Sequence, residues 1–229
     1  MRRSVFSVGA TVVAVACLLG ATGCSQVNPG ASSGTSAPAS PAAANSPAAE
    51  TSSPAASAAP DGYQYVTASA SGFRLAVPTD WSTVATDKVT SNPDVRQALD
   101  DVASRMGTTT DQLLSAGIDL VMVSPSGIPN ANVVKPEAGT ITSDFASQIT
   151  TQLETAFSAT GVTTRQVTTA AGDAVVASYT ASMMGTTVYQ NQIYLQVSSS
   201  QISVITVTGK DAAQAQDLAN VIVDTISRV

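Results

Sequence analysis

Residues 162–208 read VTTRQVTTAAGDAVVASYTASMMGTTVYQNQIYLQVSSSQISVITVT. Four runs in this stretch alternate or cluster β-branched and aromatic residues: Val162–Thr169, Ala174–Met183, Thr186–Val197 and Ile202–Thr208. That enrichment and alternation predict strands. The separators are Ala170-Ala171-Gly172-Asp173, Gly185 and Ser198-Ser199-Ser200. Connections this short join only antiparallel neighbours, because a parallel pair needs a crossover of a dozen or more residues. The stretch therefore predicts an antiparallel meander, and the remaining elements have to cover it.

Toward the C-terminus, a helix starts near Asp211 and carries Leu218, Val221, Ile222 and Thr225 or Ile226 on one stripe. Asp211 at its start and Arg228 at its end both suit the helix dipole. Toward the N-terminus, Ser143 is placed to cap a helix with the stripe Phe145, Ile149, Leu153 and Phe157, closed by Gly161. Ile118–Val123 and Asn130–Val134 read as strands. Asn92-Pro93 reads as an N-cap with proline at the first helical position. Val95, Leu99, Val102 and Met106 follow at helical spacing up to Gly107, and a short helix lies around Asp111–Ala116. Tyr63–Val66 and Phe73–Val77 read as two further strands. The order ββααββαββββα, with strands in runs and helices set apart, predicts an α+β fold: an α/β/α sandwich, with an antiparallel β-sheet flanked by helices.

The segment before this domain is of another kind. From Ser25 to Pro60 the chain is almost all Ala, Ser, Pro, Thr and Gly, and Val27 is the only apolar side chain there larger than alanine. Such a segment buries too little surface to offset its ordering entropy. It reads as a solvated tether over residues 24–61, with a mean reach of roughly 33 Å as a coil and about 110 Å fully extended. Its Ser/Thr-Pro-Ala composition also suits O-mannosylation, with plain spacing as the other reading. Residues 62–229 are the folded domain.

Residues 1–23 read as a signal peptide. Arg2 and Arg3 precede an apolar stretch from Val5 to Leu19, shorter than the roughly 20 residues a spanning helix needs. Ala21-Thr22-Gly23-Cys24 resembles a bacterial lipobox, with Ala21 where a larger aliphatic residue is usual. The resemblance implies lipidation of Cys24 by diacylglycerol and palmitate. Two or more acyl chains give a durable anchor where one does not. The expected location is extracytoplasmic, lipid-anchored at the cell membrane.

Composition removes several chemistries. The 229 residues contain no histidine, and both cysteines, Cys17 and Cys24, lie in the leader region. That excludes Ser–His and Cys–His nucleophile pairs, histidine-ligated metals and any disulfide within the domain. The lysines Lys88, Lys135 and Lys210 follow Ala85, Asn132 and Val207 by three residues, so no Ser-x-x-Lys motif exists. A net charge of −6 argues against nucleic acid as a partner. The reading assigns no catalytic residue, no cofactor and no metal.

Gly72-Phe73-Arg74-Leu75-Ala76-Val77-Pro78-Thr79-Asp80-Trp81 resembles the opening motif of PsbP-like (DcrB-like) domains. Asn130-Ala131-Asn132-Val133-Val134, Ala171-Gly172-Asp173-Ala174-Val175, Gln192-Ile193-Tyr194-Leu195 and Val204-Ile205-Thr206-Val207-Thr208 are similar, in that order, to actinobacterial lipoproteins of the LpqN/LpqT type. The resemblance covers 62–229 and the lipidated N-terminus. It implies a sandwich fold, a non-enzymatic assembly, docking or binding role in the cell envelope, and no catalytic residues to carry over.

Within the domain, Trp81 reads as a core residue, and Asp100 and Asp101 as divergent residues of a solvated helix face. Asp101 and Arg105 read as a surface ion pair. Met183 and Met184, at a strand junction, are the tentative binding residues, because soft side chains at a turn adapt to an apolar contact. Ser124–Asn132 (SPSGIPNAN) is a candidate recognition loop. Three readings follow: a docking module for envelope proteins, a carrier of a lipid or other small apolar ligand between sheet and helices, and a two-carboxylate hydrolase.

Overall fold

The structure, a computed structural model, describes residues 58–183 and 186–229. Cys24 and the tether up to residue 57 lie outside the described residues, as does Met184. The chain first forms Tyr63–Ala68 (β1), Phe73–Pro78 (β2) and Ser82–Ala85 (β3), then the helices Pro93–Arg105 (α1) and Thr110–Ser115 (α2). Ile118–Val123 (β4) and Asn130–Ala138 (β5) precede the helix Phe145–Phe157 (α3). The meander is Thr160–Thr169 (β6), Gly172–Met183 (β7), Thr186–Ser198 (β8) and Gln201–Gly209 (β9). Ala212–Thr225 (α4) and Ser227–Arg228 (β10) close the chain. Among the described residues, no helix is long and apolar enough to cross a membrane.

The main sheet has seven strands in the order β3-β4-β5-β9-β8-β7-β6, with every neighbouring pair antiparallel. This is the α+β architecture expected from the short connections. Two strands go beyond the expected order: β3, too short to show alternation, and β10, only two residues long. β1, β2 and β10 form a separate small sheet.

The sheet divides two cores. On one face, α1, α2 and α3 contribute Leu99, Val102, Leu113, Phe145, Ile149 and Leu153 to one apolar cluster. On the other, α4 and β2 contribute Ala219, Ile222, Phe73, Leu75 and Val77, joined by Trp81 as expected. The helices therefore cover both faces, and the small sheet shares the second face with α4. Close packing there needs Gly209, since a Cβ at that position would lie 2.6 Å from the Ala215 backbone nitrogen.

Local signals explain most boundaries. The Asn92 side chain accepts from the Asp94 and Val95 amides at 2.9 and 3.4 Å, capping α1 as read. A reciprocal capping box joins Thr109 and Gln112 at the start of α2. Asp211 caps α4 by accepting from the Gln214 amide at 2.8 Å.

Four expectations are corrected. Asp144, not Ser143, is the N-cap of α3; it makes no side-chain capping bond, and the Ser143 hydroxyl bonds to Asp144 instead. The helix ends on Ser158 in the left-handed region (φ 51°) rather than on Gly161, which sits inside β6 where the register slips against β7. Arg228 does not close α4: it pairs with Phe73 in β10 and donates to the Gln196 carbonyl at 3.3 Å. Asp101 and Arg105 form no ion pair. Asp101 accepts from Gln97 Nε2 at 3.0 Å and Arg105 donates to the Asp101 backbone carbonyl, while the ion pair on this surface joins Arg96 to Asp111 at 2.9 Å.

Candidate functional site

Register builds an unusual feature in the middle of the main sheet. Across β4, β5, β9, β8 and β7, one row aligns Val121, Asn132, Thr206, Gln192 and Ala177. Two residues along each strand, the next row aligns Val123, Asn130, Thr208, Gln190 and Tyr179. Side chains alternate between faces, so Asn130, Asn132, Thr206, Thr208, Gln190 and Gln192 share one side of the three central strands. Val121, Ala177 and Tyr179 belong to the α1–α3 cluster, so this side is the one facing α1–α3. The opposite side of the same strands carries Val133, Ile205 and Ile193 of the second apolar cluster, with Asn191 and Ser203 as buried polar residues among them. α1 and α2 pack over β3 and β4, and α3 packs over β6 and β7. The polar floor thus lies between the two helical groups.

All six floor residues are buried, Asn132 fully and Thr206 to within 3%. Burying polar atoms demands partners. Half of the floor has them. Gln190 Nε2 donates to Thr208 Oγ1 at 3.1 Å, Gln192 Nε2 donates to the Tyr179 hydroxyl at 2.8 Å, and the Tyr194 hydroxyl donates to Gln192 Oε1 at 2.5 Å. Asn130 Nδ2 donates to the Gly127 carbonyl at 2.9 Å. Four atoms have no partner among the described residues: Asn130 Oδ1, both amide atoms of Asn132, and Thr206 Oγ1. They cluster on β5 and β9. Each unmet buried group costs about 1–3 kcal/mol, so the fold carries this cluster at a loss unless something binds it.

The electrostatics are those of a neutral site. Burial pushes the Tyr179 and Tyr194 phenols far up, Tyr194 also through the neighbouring Tyr179, so both remain protonated hydrogen-bonding groups. Tyr194 also meets Phe145 of α3 edge-on, with centroids 5.5 Å apart. The fully buried carboxylate of Asp119 serves the fold: it accepts from Ala70 N, Ser71 N and Ser71 Oγ at 3.2, 2.9 and 2.8 Å, tying the β1–β2 turn to β4.

The other candidates separate. Met183 ends β7 opposite Thr186, at the far end of that strand from Ala174; Met184 lies outside the described residues. The loop Ser124–Asn132 is shorter than read, because Asn130 and Asn132 already belong to β5 and supply the floor. Asp100 and Asp101 diverge, Asp100 accepting from Thr110 Oγ1 and Asp101 from Gln97. A 570 Å³ surface cleft is lined by Thr140, Ser143, Gln166, Thr168, Asp173 and Gln196 among others, and Asp173 is the one carboxylate of its lining among the described residues. That single carboxylate accepts from Thr168 Oγ1 at 2.9 Å. The floor residues Gln190, Gln192, Thr206 and Thr208 escaped the sequence reading. Their signal was there: polar residues at alternate positions, on one face, in two consecutive apolar strands.

No protein-family model matches the chain, and no curated protein sequence does. Solved structures similar to it include cyanobacterial PsbP (CyanoP) from Synechocystis sp. PCC 6803, at 12% identity and a TM-score of 0.43 over 73% of this chain and 93% of that one. Another is LpqN, described as involved in cell envelope biogenesis, of Mycobacterium tuberculosis, at 15% identity and a TM-score of 0.38 over 68% of this chain and 82% of that one. Likeness at these scores assigns neither family nor role, and the α+β architecture stands on the strand pairing and helix packing described above.

Proposed function

We propose that this chain is a non-enzymatic binding module of the cell envelope, held to the membrane by lipidation of Cys24 and binding a small ligand between the main sheet and α1–α3. The observation that carries the binding role is the group of four unpaired polar atoms on the buried floor at Asn130, Asn132 and Thr206. The N-terminal sequence supports the anchor. An acidic domain is not drawn to anionic headgroups, so the acyl chains supply membrane affinity, and the tether lets the domain search roughly 30–100 Å. The resemblance to PsbP-like envelope lipoproteins agrees with a role without catalysis.

Two measurements test the proposal. The protein is extracted from its own membrane and examined by native mass spectrometry; a reproducible small-molecule adduct is expected, and a bare mass overturns the binding role. Replacing Cys24 with serine is expected to release the chain from the membrane fraction, and unchanged partitioning overturns the anchor.

A second reading has its own observation. Among the described residues, β6 is the outermost strand of the main sheet and is bonded on one side only, to β7. An envelope protein adding a strand there would make the chain a docking module. Hydrogen exchange of the β6 amides, with and without solubilised envelope proteins, tests it: protection confined to Thr160–Thr169 supports docking, and unchanged exchange removes it.

A further inference from the structure

We infer that β6 is a self-association edge: a second copy of this chain pairs with it antiparallel, about a two-fold axis at Gln166, and joins two seven-stranded sheets into one. This rests on the strand-addition reading of β6 given above and names the partner.

The two edges of the main sheet are unlike. β3 is four residues long and has α1 packed against it. Shortness and cover are among the ways proteins blunt an edge. β6 runs for ten residues, Thr160–Thr169, and contains no proline, lysine or carboxylate. Its one charged residue, Arg165, turns onto α4 and donates to Asn220 Oδ1 at 2.8 Å. The register slip against β7 protects only the first residues, and Thr163–Thr169 pairs without interruption. Among the described residues, that run presents an unpaired row of backbone groups on its outer side, the feature that recruits another strand.

Register, charge and fit make that strand a second copy. The outward backbone groups of a strand belong to alternate residues, so a closed antiparallel pair of identical edges has its axis at a residue that faces itself. An axis at Gln166, the centre of Thr163–Thr169, uses the whole regular run. Thr163 then meets Thr169, Thr164 meets Thr168 and Arg165 meets Val167, each of them twice. Cross-strand Thr–Thr pairs are favourable, and about six to eight backbone hydrogen bonds form. An axis at Arg165 would instead set two guanidinium groups opposite each other, which is unfavourable. The chain has a net charge of −6, yet this edge bears no carboxylate, and α3, which packs over β6 and β7, has Glu154 as its one charged residue. Two copies therefore meet without like charges at the joint. The helices fit as well. A helix over the β6–β7 pair lies about half a strand spacing inside the edge. Across a joint of about 4.8 Å, the two α3 helices stand roughly 9–10 Å apart, the separation at which helices pack.

The test follows sedimentation of the full chain, extracted from its membrane into density-matched detergent, at concentrations up to about 0.1 mM. The parent is expected to pass from monomer to dimer as concentration rises. Gln166→Lys and Gln166→Glu each set like charges across the axis and are expected to weaken the dimer at least about tenfold. Mixed in equal amounts, the two variants set an ammonium group against a carboxylate, and the dimer should return. Gln166 is exposed, so equal melting of the dilute parent and both variants is expected and shows that a loss of dimer is not a loss of fold. A parent that stays monomeric overturns the inference. Parental dimerisation in both variants overturns the location, and a mixture that stays monomeric overturns the two-fold register. Hydrogen exchange separates this inference from the reading beneath it. If the β6 amides are open in the full chain alone and protected only by solubilised envelope proteins, the second copy is overturned and β6 remains a docking edge. If they are open under both conditions, both fall.

Discussion

Replacing Thr206 by valine exchanges a hydroxyl for a methyl group at nearly constant shape. Thr206 is 3% exposed, and its Oγ1 has no partner among the described residues. Removing an unmet buried hydroxyl recovers about 1–3 kcal/mol, and the added methyl group contributes up to about 0.8 kcal/mol of burial. In a domain of this size, about 1 kcal/mol moves Tm by about 2–4 °C. The ligand-free variant should therefore melt at least about 2 °C higher than the parent. The sign alone is informative, because point substitutions usually destabilise by about 1 kcal/mol. The assay is thermal and urea unfolding followed by Trp81, a buried single-tryptophan reporter. Thr208→Val is the matched control one row away. Its hydroxyl accepts from Gln190 Nε2 at 3.1 Å, so the same exchange orphans a buried amide and should lower stability by about 1–3 kcal/mol. A fall in Tm for Thr206→Val, or equal shifts in both variants, refutes the reasoning.

Asp119→Ala removes the acceptor of three hydrogen bonds and leaves the Ser71 amide and hydroxyl buried. A loss of about 3 kcal/mol or more is expected in urea unfolding, with faster amide exchange at Ala70 and Ser71; an unchanged midpoint contradicts the role given to this carboxylate. Stability should also fall at alkaline pH. Tyr179 and Tyr194 are held protonated in the fold, well above the ordinary phenol value of about 10. Above that pH the unfolded chain releases their protons while the folded chain keeps them, so the folded state binds more protons and stability declines as pH rises. Each phenol adds a slope of up to about 1.4 kcal/mol per pH unit. Urea midpoints between pH 8 and about 11 measure the slope, and Tyr179→Phe should flatten it. Phe145→Ala opens a cavity beside Tyr194 and should cost about 3–5 kcal/mol by the same assay, with retention of the parental midpoint ruling out the α3–sheet contact as a main support.

Elements were legible where the signal is local. Asn92-Pro93 caps α1 because an amide acceptor followed by a proline satisfies the first turn from within four residues. The β7–β9 meander was legible because Gly and Ser punctuate long alternating runs. The failures arose where contacts remote in the chain decided the outcome. Ser82–Ala85 is too short to display a period, and it becomes a strand only because Val121–Val123 offers a ladder. Ser143 and Asp144 are both competent caps, and the chain direction into α3 chose between them without using either side chain's capping bond. Arg228 reads as a dipole partner in one dimension, but the chain turns at Ile226 and carries it onto β2.

By itself the sequence determined the class of fold, the antiparallel sense of the meander and the low complexity of residues 25–60. Each follows from periodicity, turn chemistry or composition, which act over a few neighbouring residues. The tertiary structure alone decided that Asn132, Thr206 and Gln192 meet. Gln192 and Thr206 face each other within the β8–β9 hairpin, but Asn132 lies on β5, far along the chain, and an alternating pattern distinguishes the two faces of a strand without saying which residues of a remote strand will stand beside them. Register and the placement of α1–α3 settled that, leaving polar atoms in an uncharged interior where only the assembled sheet reveals that they lack partners.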